Sequence, residues 1–161
     1  MVNLLKSWRV VGLSVSLCVL GTLPVIAQQV EKKVTGKTYV FDYDKKKVYN
    51  KNFSVVSQDF SPDSYTVKKN SIIADVFRSV MGKQRIEELR QKNESVLMFF
   101  ICKADGRVEY VNFFFRNGIF LTPEEVSRLE DKFLSVRFPV TIYEPGVKRV
   151  AFGQSCRFST L

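Results

Sequence analysis

The chain has 161 residues, of which 45% are hydrophobic and 13% aromatic, and its formal net charge is +9 at pH 7. This length supports one hydrophobic core and is short for two ordinary domains. The sequence has no histidine, which argues against Ser-His and Cys-His nucleophile pairs and imidazole metal ligands. It also lacks Cys-x-x-Cys, Gly-x-Gly-x-x-Gly and the full phosphate-binding Gly-x-x-x-x-Gly-Lys-Ser/Thr motif, since Gly36-Lys37-Thr38 is preceded by Glu31 where that motif needs glycine. We therefore predict a single domain that is not an enzyme and has no catalytic, cofactor or metal site.

Residues 1–27 have the pattern of a secretory signal peptide. Basic residues precede an apolar run from Val10 to Ala27. An uncleaved membrane anchor is the alternative, because this run is just long enough to span a bilayer, but Gly21 and Pro24 favour a cleavage region. Cleavage after Ala27 predicts a periplasmic or secreted protein that begins at Gln28 and is not stably inserted in the membrane.

The mature chain is predicted to remain basic. Cleavage would remove Lys6 and Arg9, so the formal charge would fall from +9 to +7. The lysines of the first third, including Lys45–Lys47, are not clustered beside aromatic residues, and a solvated loop or edge strand explains them. We predict no nucleic-acid partner and only a weak attraction to anionic surfaces.

The first part of the mature chain predicts a tail followed by a hairpin. Residues 28–36 are polar and charged, which is typical of a flexible tail. A single α+β domain is then predicted over residues 37–161. It begins with two runs of strand character, Lys37–Tyr43 and Lys47–Ser57, which flank a short polar turn and predict a β-hairpin.

A helix is predicted next, followed by a buried strand. Apolar residues recur at helical spacing as far as Gln91, with Asn70 or Ser71 as the cap and Gly82 as a point where the helix loosens. Ser95–Lys103 is almost unbroken in its apolar character. It therefore predicts a central strand that is covered on both faces.

Two further strands and a helix complete the predicted domain. Asp105-Gly106 predicts a tight turn into the return strand Arg107–Phe115, because glycine supplies a positive φ without strain. Thr122–Glu125 forms a capping box with proline at the first helical position, so a helix begins there. Lys148–Phe158 alternates and predicts a half-buried last strand. Its core-facing side chains are Val150, Phe152, Cys156 and Phe158.

Three groups of side chains are candidates for a site. The run Phe113, Phe114 and Phe115 could line a ligand pocket, although alternation on a strand also allows a core role on two layers. The carboxylates of Asp42 with Asp44 could form an acid/base or cation-binding pair, but a hairpin turn explains them as well. Glu124 and Glu125 are similarly paired, and capping explains them.

Cys102 and Cys156 remain after cleavage of the signal, and two cysteines in an exported protein could form a disulfide. If the last strand runs antiparallel beside Ser95–Lys103, these residues lie near opposite ends of the pair. Their separation would be on the order of 20 Å, whereas a disulfide requires Cα atoms within about 7 Å. We predict two thiols.

The order of helix, strand, strand, helix and strand resembles the C-terminal domains of TonB and TolA. The residues that carry the resemblance are Asp105-Gly106-Arg107-Val108, Glu124-Glu125, Phe138-Pro139, Gly146-Val147 and Phe158. The resemblance implies a TonB-like α+β fold with an antiparallel sheet, here preceded by an N-terminal hairpin. It also implies that the last strand is a sheet edge able to receive an extended peptide. The chain looks, in addition, like small uncharacterised secreted proteins of gut-type Gram-negative bacteria.

These observations predict a secreted, non-enzymatic module of the cell envelope. Its partner is predicted to be an envelope or surface protein, bound by strand addition near Val150, Phe152 and Gln154. The alternative is a small-ligand or envelope-polymer binding protein that uses the pocket at Phe113–Phe115. No cofactor is predicted for either function.

Overall fold

The computed structural model describes residues 28–53, 64–68 and 71–161. The predicted signal peptide at residues 1–27 lies outside these ranges, and so does the end of the predicted strand Lys47–Ser57. None of the helices in the described ranges is long and apolar enough to cross a membrane.

The described chain forms an α+β fold with an antiparallel sheet of six strands and a second sheet of two strands, as the sequence predicts for the fold class. The strands of the large sheet are β1 (Gln29–Val34), β2 (Lys37–Asp42), β3 (Lys47–Asn50), β5 (Ser95–Lys103), β6 (Val108–Phe115) and β8 (Arg149–Arg157). The small sheet contains β4 (Tyr65–Val67) and β7 (Val140–Ile142). The helices are α1 (Ile72–Val80), α2 (Lys83–Gln91) and α3 (Pro123–Leu134), and a short 3-10 helix follows β8 at Phe158–Thr160.

The spatial order of the large sheet is β1-β2-β3-β6-β5-β8, so β1 and β8 form its two edges. β5 lies between β6 and β8, which confirms the predicted central position of Ser95–Lys103. The turn at Asp105-Gly106 joins β5 to β6, and Gly106 has a φ of 81° there. This is the backbone conformation for which the turn needs glycine.

The predicted flexible tail at residues 28–36 is instead a strand. All six residues of β1 pair with β2, from Gln29 opposite Asp42 to Val34 opposite Lys37. Thr35 and Gly36 both adopt positive φ, 47° and 80°, so the chain reverses in a tight hairpin. Most side chains of β1 are exposed, and an exposed edge strand has no alternating apolar pattern to reveal it in the sequence.

The single helix predicted to end at Gln91 is wrong, because the chain forms α1 and α2 with a break between them. Met81 and Gly82 are extended, with ψ of 128° and 159°. Met81 is nevertheless buried, so the apolar spacing continues across the break and conceals it. Ser71 precedes α1 as predicted, but its hydroxyl donates to the carboxylate of Asp75 instead of capping the backbone.

The core lies between one face of the large sheet and the helices. Phe133 of α3 packs against Phe100 of β5 and Phe113 of β6, with ring centroids 5.1 and 6.5 Å apart. Phe77 of α1 contacts Phe133 and Phe158 edge to face. α3 begins with the predicted capping box: the Glu125 backbone N–H donates to the Thr122 hydroxyl at 3.2 Å, and the Glu125 carboxylate accepts from the Thr122 N–H at 2.9 Å.

The opposite face of the large sheet, called here the open face, is only partly covered. At one end of it, the ring of Phe53 stacks on Tyr110 at 4.2 Å, and Tyr110 is buried. At the other end Leu97 is 46% exposed. The prediction that both faces of β5 are covered is therefore wrong at Leu97. The helices pack on the other face, and the Phe53 contact lies further along the sheet.

Candidate functional site

β8 pairs with a neighbour on one side only. Its nine residues pair antiparallel with β5, from Arg149 opposite Lys103 to Arg157 opposite Ser95, as the sequence predicts. β8 is the last strand of the large sheet. Its far side therefore presents backbone N–H and C=O groups that point away from β5.

The register decides which residues of β8 present these groups. The Phe158 N–H donates to the Glu94 carbonyl at 3.1 Å, and the Ala104 N–H donates to the Lys148 carbonyl at 3.0 Å. Hydrogen-bonded and non-hydrogen-bonded pairs alternate along an antiparallel ladder. Because the register is continuous over β8, its even-numbered residues bond to β5 and its odd-numbered residues face outward.

The small sheet closes the outer side of β8 at one point. The Ala151 N–H donates to the hydroxyl of Tyr65 on β4 at 2.9 Å, and that hydroxyl donates in turn to the Ala151 carbonyl oxygen. Further along, neither Gly153 nor Ser155 has a backbone partner on its outer side among the described residues. We call the outward backbone groups of Gly153 and Ser155, together with the Arg157 N–H, the open edge.

The predicted partner-binding residues lie on β8, but their backbone groups point toward β5 and away from the open edge. Val150, Phe152 and Gln154 occupy even positions, so their N–H and C=O groups bond to β5. Val150 is fully buried. The open edge is formed by their odd-numbered neighbours, since a shift of one residue along a strand reverses the direction of every backbone group.

The three phenylalanines predicted to line one pocket point to two faces of β6. Phe113 and Phe115 are buried in the core on the helix side. Phe114 lies on the open face, where the Lys47 ammonium is 5.2 Å from its ring centroid. The alternation of a strand separates these rings, so the three do not line one pocket; Phe114 and Phe115 both contribute to the lining of a groove, and Phe113 does not.

A groove lies on the open face beside the open edge. Its volume is about 370 Å³. The described residues that line it are Ser95, Val96, Leu97, Phe114, Phe115, Arg116, Ser155 and Arg157. Ser155 and Arg157 belong to both the groove and the open edge, so a strand added beside β8 would form one wall of the groove.

Two rows of side chains cross the groove at right angles to the strands. The first contains Ser155, Leu97 and Phe114, since Leu97 pairs with Ser155 on one side and with Phe114 on the other. The second contains Arg157 and Ser95, which pair with each other, and it ends at Arg116, the residue after β6. One row is thus partly apolar and the next is basic.

The cysteines are both free thiols in the structure, as predicted. Cys102 pairs with Val150 and Cys156 pairs with Val96, so the two lie near opposite ends of the β5–β8 ladder. Burial raises the pKa of the Cys102 thiol to about 12 and that of Cys156 to about 11. Both thiols are therefore protonated and unreactive near neutral pH.

The candidate carboxylate pairs have structural contacts. The Asp42 carboxylate accepts from the Lys45 backbone N–H at 3.0 Å, and this bond holds the pKa of the carboxyl below its usual range. Asp44 accepts from the Gln28 N–H, and Glu125 closes the capping box. Within the described residues, no cluster of three or more His, Cys, Asp or Glu side chains could hold a metal ion.

A second concavity lies between the helices and the end of the chain. Its volume is about 600 Å³, and its lining includes Met81, Ile86 and Leu161. At its rim, Arg78 donates to the Leu161 carbonyl at 3.0 Å and Arg90 pairs with Glu87 at 2.6 Å. This cavity was not predicted, because Met81 at the unpredicted break between α1 and α2 helps to line it.

The fold of this chain is similar to that of a solved structure. No family model matches the chain, and neither does any curated protein. The crystal structure of a DUF5043 family protein from Bacteroides uniformis ATCC 8492 is similar, with a TM-score of 0.57 and 16% sequence identity over 81% of this chain and 85% of that chain. The TonB resemblance stays a prediction. At this identity the likeness concerns the fold alone, and the chain shares its α+β fold with that protein of a gut bacterium.

Proposed function

We propose that this chain is an exported, non-enzymatic module of the bacterial cell envelope that binds an extended segment of an envelope or surface protein by strand addition to β8. The signal-like pattern of residues 1–27 supports export. The lack of histidine supports a binding role over a catalytic one. Strand addition uses main-chain hydrogen bonds for affinity, and an exposed sheet edge is the structure that provides them.

The observation that carries this proposal is the open edge itself. Natural sheets protect their edges, and this chain does so at Ala151 by means of the Tyr65 hydroxyl. The next outward positions, Gly153 and Ser155, are exposed and carry small residues. An approaching backbone would meet no bulky side chain there.

Proline substitution at β8 tests the proposal. Ser155→Pro removes an outward N–H and leaves the β5 ladder intact, so the variant should fold and lose its envelope partner in a pull-down from envelope extracts. Gln154→Ala changes the neighbouring side chain but no backbone donor, and should retain the partner. Normal partner binding by folded Ser155→Pro would rule out strand addition at this position.

The register also predicts the result of proline one residue earlier. The Gln154 N–H points to β5, so Gln154→Pro should lower the free energy of unfolding by about 3 kcal/mol or more. Urea unfolding measures this loss. A fully stable Gln154→Pro variant would show that the even-numbered residues of β8 direct their N–H groups outward and not toward β5.

Binding of a small ligand or envelope polymer is the second candidate function, and the cavity of about 600 Å³ favours it. A panel of glycans and lipids would identify such a ligand. Gln84→Trp, at an exposed lining residue, should then block binding, whereas strand addition at β8 should be unaffected.

Export is tested by the mass of the protein secreted from a bacterial host. Cleavage after Ala27 predicts a mature chain that starts at Gln28. Retention of residues 1–27 in the membrane fraction would favour the anchor instead.

A further inference from the structure

The open edge and the groove together restrict what the added strand can carry. A strand beside β8 would extend each row of the open face by one residue, because side chains of paired strands lie directly opposite one another. Its residue beside Ser155 would continue the row that contains Leu97 and Phe114. Its residue two positions away, on the same face, would lie beside Arg157.

The row at Ser155 favours an apolar neighbour. Leu97, one strand further in, is 46% exposed, and Phe114 behind it is half-buried. Adjacent strands are about 4.8 Å apart, so a long apolar side chain on the added strand could reach across the small Ser155 to Leu97. Such a contact would cover apolar surface that water now reaches.

The row at Arg157 favours a carboxylate. Arg157 and Arg116 are both exposed, and neither guanidinium has an ion pair among the described residues. The described lining of the groove contains no acidic residue. A carboxylate beside Arg157 would therefore meet no competing ion pair within the described chain. The guanidinium can donate two parallel hydrogen bonds to such a carboxylate.

The hairpin between β2 and β3 brings further positive charge to this end of the sheet. The Lys46 ammonium donates to the Arg116 carbonyl at 3.1 Å, and Lys47 lies over the Phe114 ring. Two nearby carboxylates have contacts already: that of Asp42 is buried in the turn, and that of Glu94 accepts from Asn117 at 3.4 Å. Lys46 and Lys47 therefore join Arg116 in a basic cluster that forms only in the fold.

We propose that the segment bound at β8 is an extended acidic peptide with an apolar side chain beside Ser155 and a carboxylate two residues away, beside Arg157. This inference rests on the proposed strand addition and specifies its partner. The order of the two side chains along the peptide depends on whether the strand is added parallel or antiparallel, and their spacing is the same in both cases.

Selection from a random octapeptide library on the exported protein tests this pattern. Selected peptides should be enriched in Asp or Glu two positions from an apolar residue, by about fivefold over the unselected library, the ratio given by a cross-strand pair of about 1 kcal/mol. Arg157→Glu should replace that acidic preference by Lys or Arg. Lys33→Glu is the matched control, since it makes the same charge change on an exposed residue of the opposite edge, β1, and should leave the preference unaltered.

The outcomes separate this inference from the function on which it rests. If selected peptides protect the Gly153 and Ser155 amides from exchange but show no acidic preference, or keep that preference in Arg157→Glu, the acidic partner is wrong and strand addition stands. If no peptide is selected, or those amides stay unprotected, strand addition itself fails.

Two results would identify a different occupant of β8. Tighter binding of an oligogalacturonate than of the selected peptides would make the occupant an acidic polymer. A dimer that Ser155→Pro abolishes would make the occupant a second copy of this chain. Both results would overturn the proposal.

Discussion

Glu130 is a buried carboxylate with three hydrogen-bond partners from the N-terminal strands. Its side chain on α3 is almost fully buried, and its carboxylate accepts from the Lys37 ammonium and the Tyr39 hydroxyl, both at 2.7 Å. The Asn50 side-chain amide donates to the same group at 3.1 Å. These bonds join α3 to β2 and β3, so one buried side chain connects the N-terminal strands to the helical layer at three points.

Neutralising Glu130 should therefore destabilise the fold. Glu130→Gln is expected to lower the free energy of unfolding by about 2 kcal/mol, because charge-assisted hydrogen bonds are replaced by weaker ones. Asp131→Asn is the control: that carboxylate also lies 2.6 Å from Lys37, but it is 61% exposed and should contribute less than about 1 kcal/mol. Equal losses in urea unfolding would contradict the structural role of Glu130.

Deprotonation of buried groups should weaken the fold at alkaline pH. Burial raises the pKa of Cys102 to about 12, of Cys156 to about 11 and of Tyr110 to about 12. As pH rises, the unfolded chain loses these protons first, so their contribution to stability should be fully present near neutral pH and be lost between about pH 9 and about pH 12. Urea midpoints measured across this range check the sign, and a midpoint that rises would contradict it.

The thiols themselves give a simpler measurement. Neither should react with a thiol reagent in the native protein at neutral pH, and both should react in a denatured chain that starts at Gln28, without reductant. Finding none would show a disulfide and would be incompatible with the register of β5 and β8.

The separation of Cys102 and Cys156 was predictable from the sequence, because strand pairing alone determines it. It missed Glu130, which occupies a charged stretch of α3 and is buried only because the hairpin packs against that helix. No local pattern distinguishes it from the exposed Asp131 beside it.

Two glycines show how the backbone determines where elements begin and end. Gly106 turns β5 into β6, and a Cβ placed there would lie 2.0 Å from the Phe138 carbonyl oxygen. Gly82 separates α1 from α2 with a φ of −63°, and a Cβ there would meet nothing within 4 Å. Position 106 therefore requires glycine, whereas position 82 has room for a Cβ.

Alanine at these two positions should therefore have unequal effects. Gly106→Ala is expected to lower the free energy of unfolding by at least about 2 kcal/mol, because positive φ and the backbone clash both oppose a side chain. Gly82→Ala should change it by less than about 1 kcal/mol, since alanine restricts the unfolded chain but is a poorer N-cap of α2 than glycine. Thermal unfolding of the two variants measures both changes, and equal losses of stability would contradict the special conformation of Gly106.

Elements with local signals were predictable, and those formed by tertiary contacts were not. The capping box identified the start of α3, and Asp105-Gly106 identified the β5–β6 turn. The break at Met81 follows from packing, because the apolar spacing runs through it. β1 has mostly exposed side chains, and the hairpin at Thr35-Gly36 is what places it on the sheet.

The two edges of the whole sheet are protected in different ways. β1 presents exposed lysines, Lys32 and Lys33, which are typical of an edge that resists pairing. β8 is closed at Ala151 by the small sheet and is open beyond it. Of the two edges of the large sheet in the described part of the chain, the segment of β8 beyond Ala151 is thus the one suited to receiving a strand.

The sequence predicted that the last strand pairs with Ser95–Lys103 and could be an edge. It did not predict which backbone N–H and C=O groups point outward, because that depends on the exact register of β8 with β5. Nor did it predict that Tyr65, from a separate sheet, would limit the open segment.

Amide hydrogen exchange along β8, measured on the free protein and with its bound segment, tests the central claim most directly. In the free protein the amides of Gly153 and Ser155 should exchange rapidly, while those of Gln154 and Cys156 are protected by their bonds to β5. Binding should slow exchange at Gly153 and Ser155 by at least about tenfold and leave Gln154 and Cys156 unchanged. Protection of Gly153 and Ser155 in the free protein, or fast exchange there in the complex, would contradict the account.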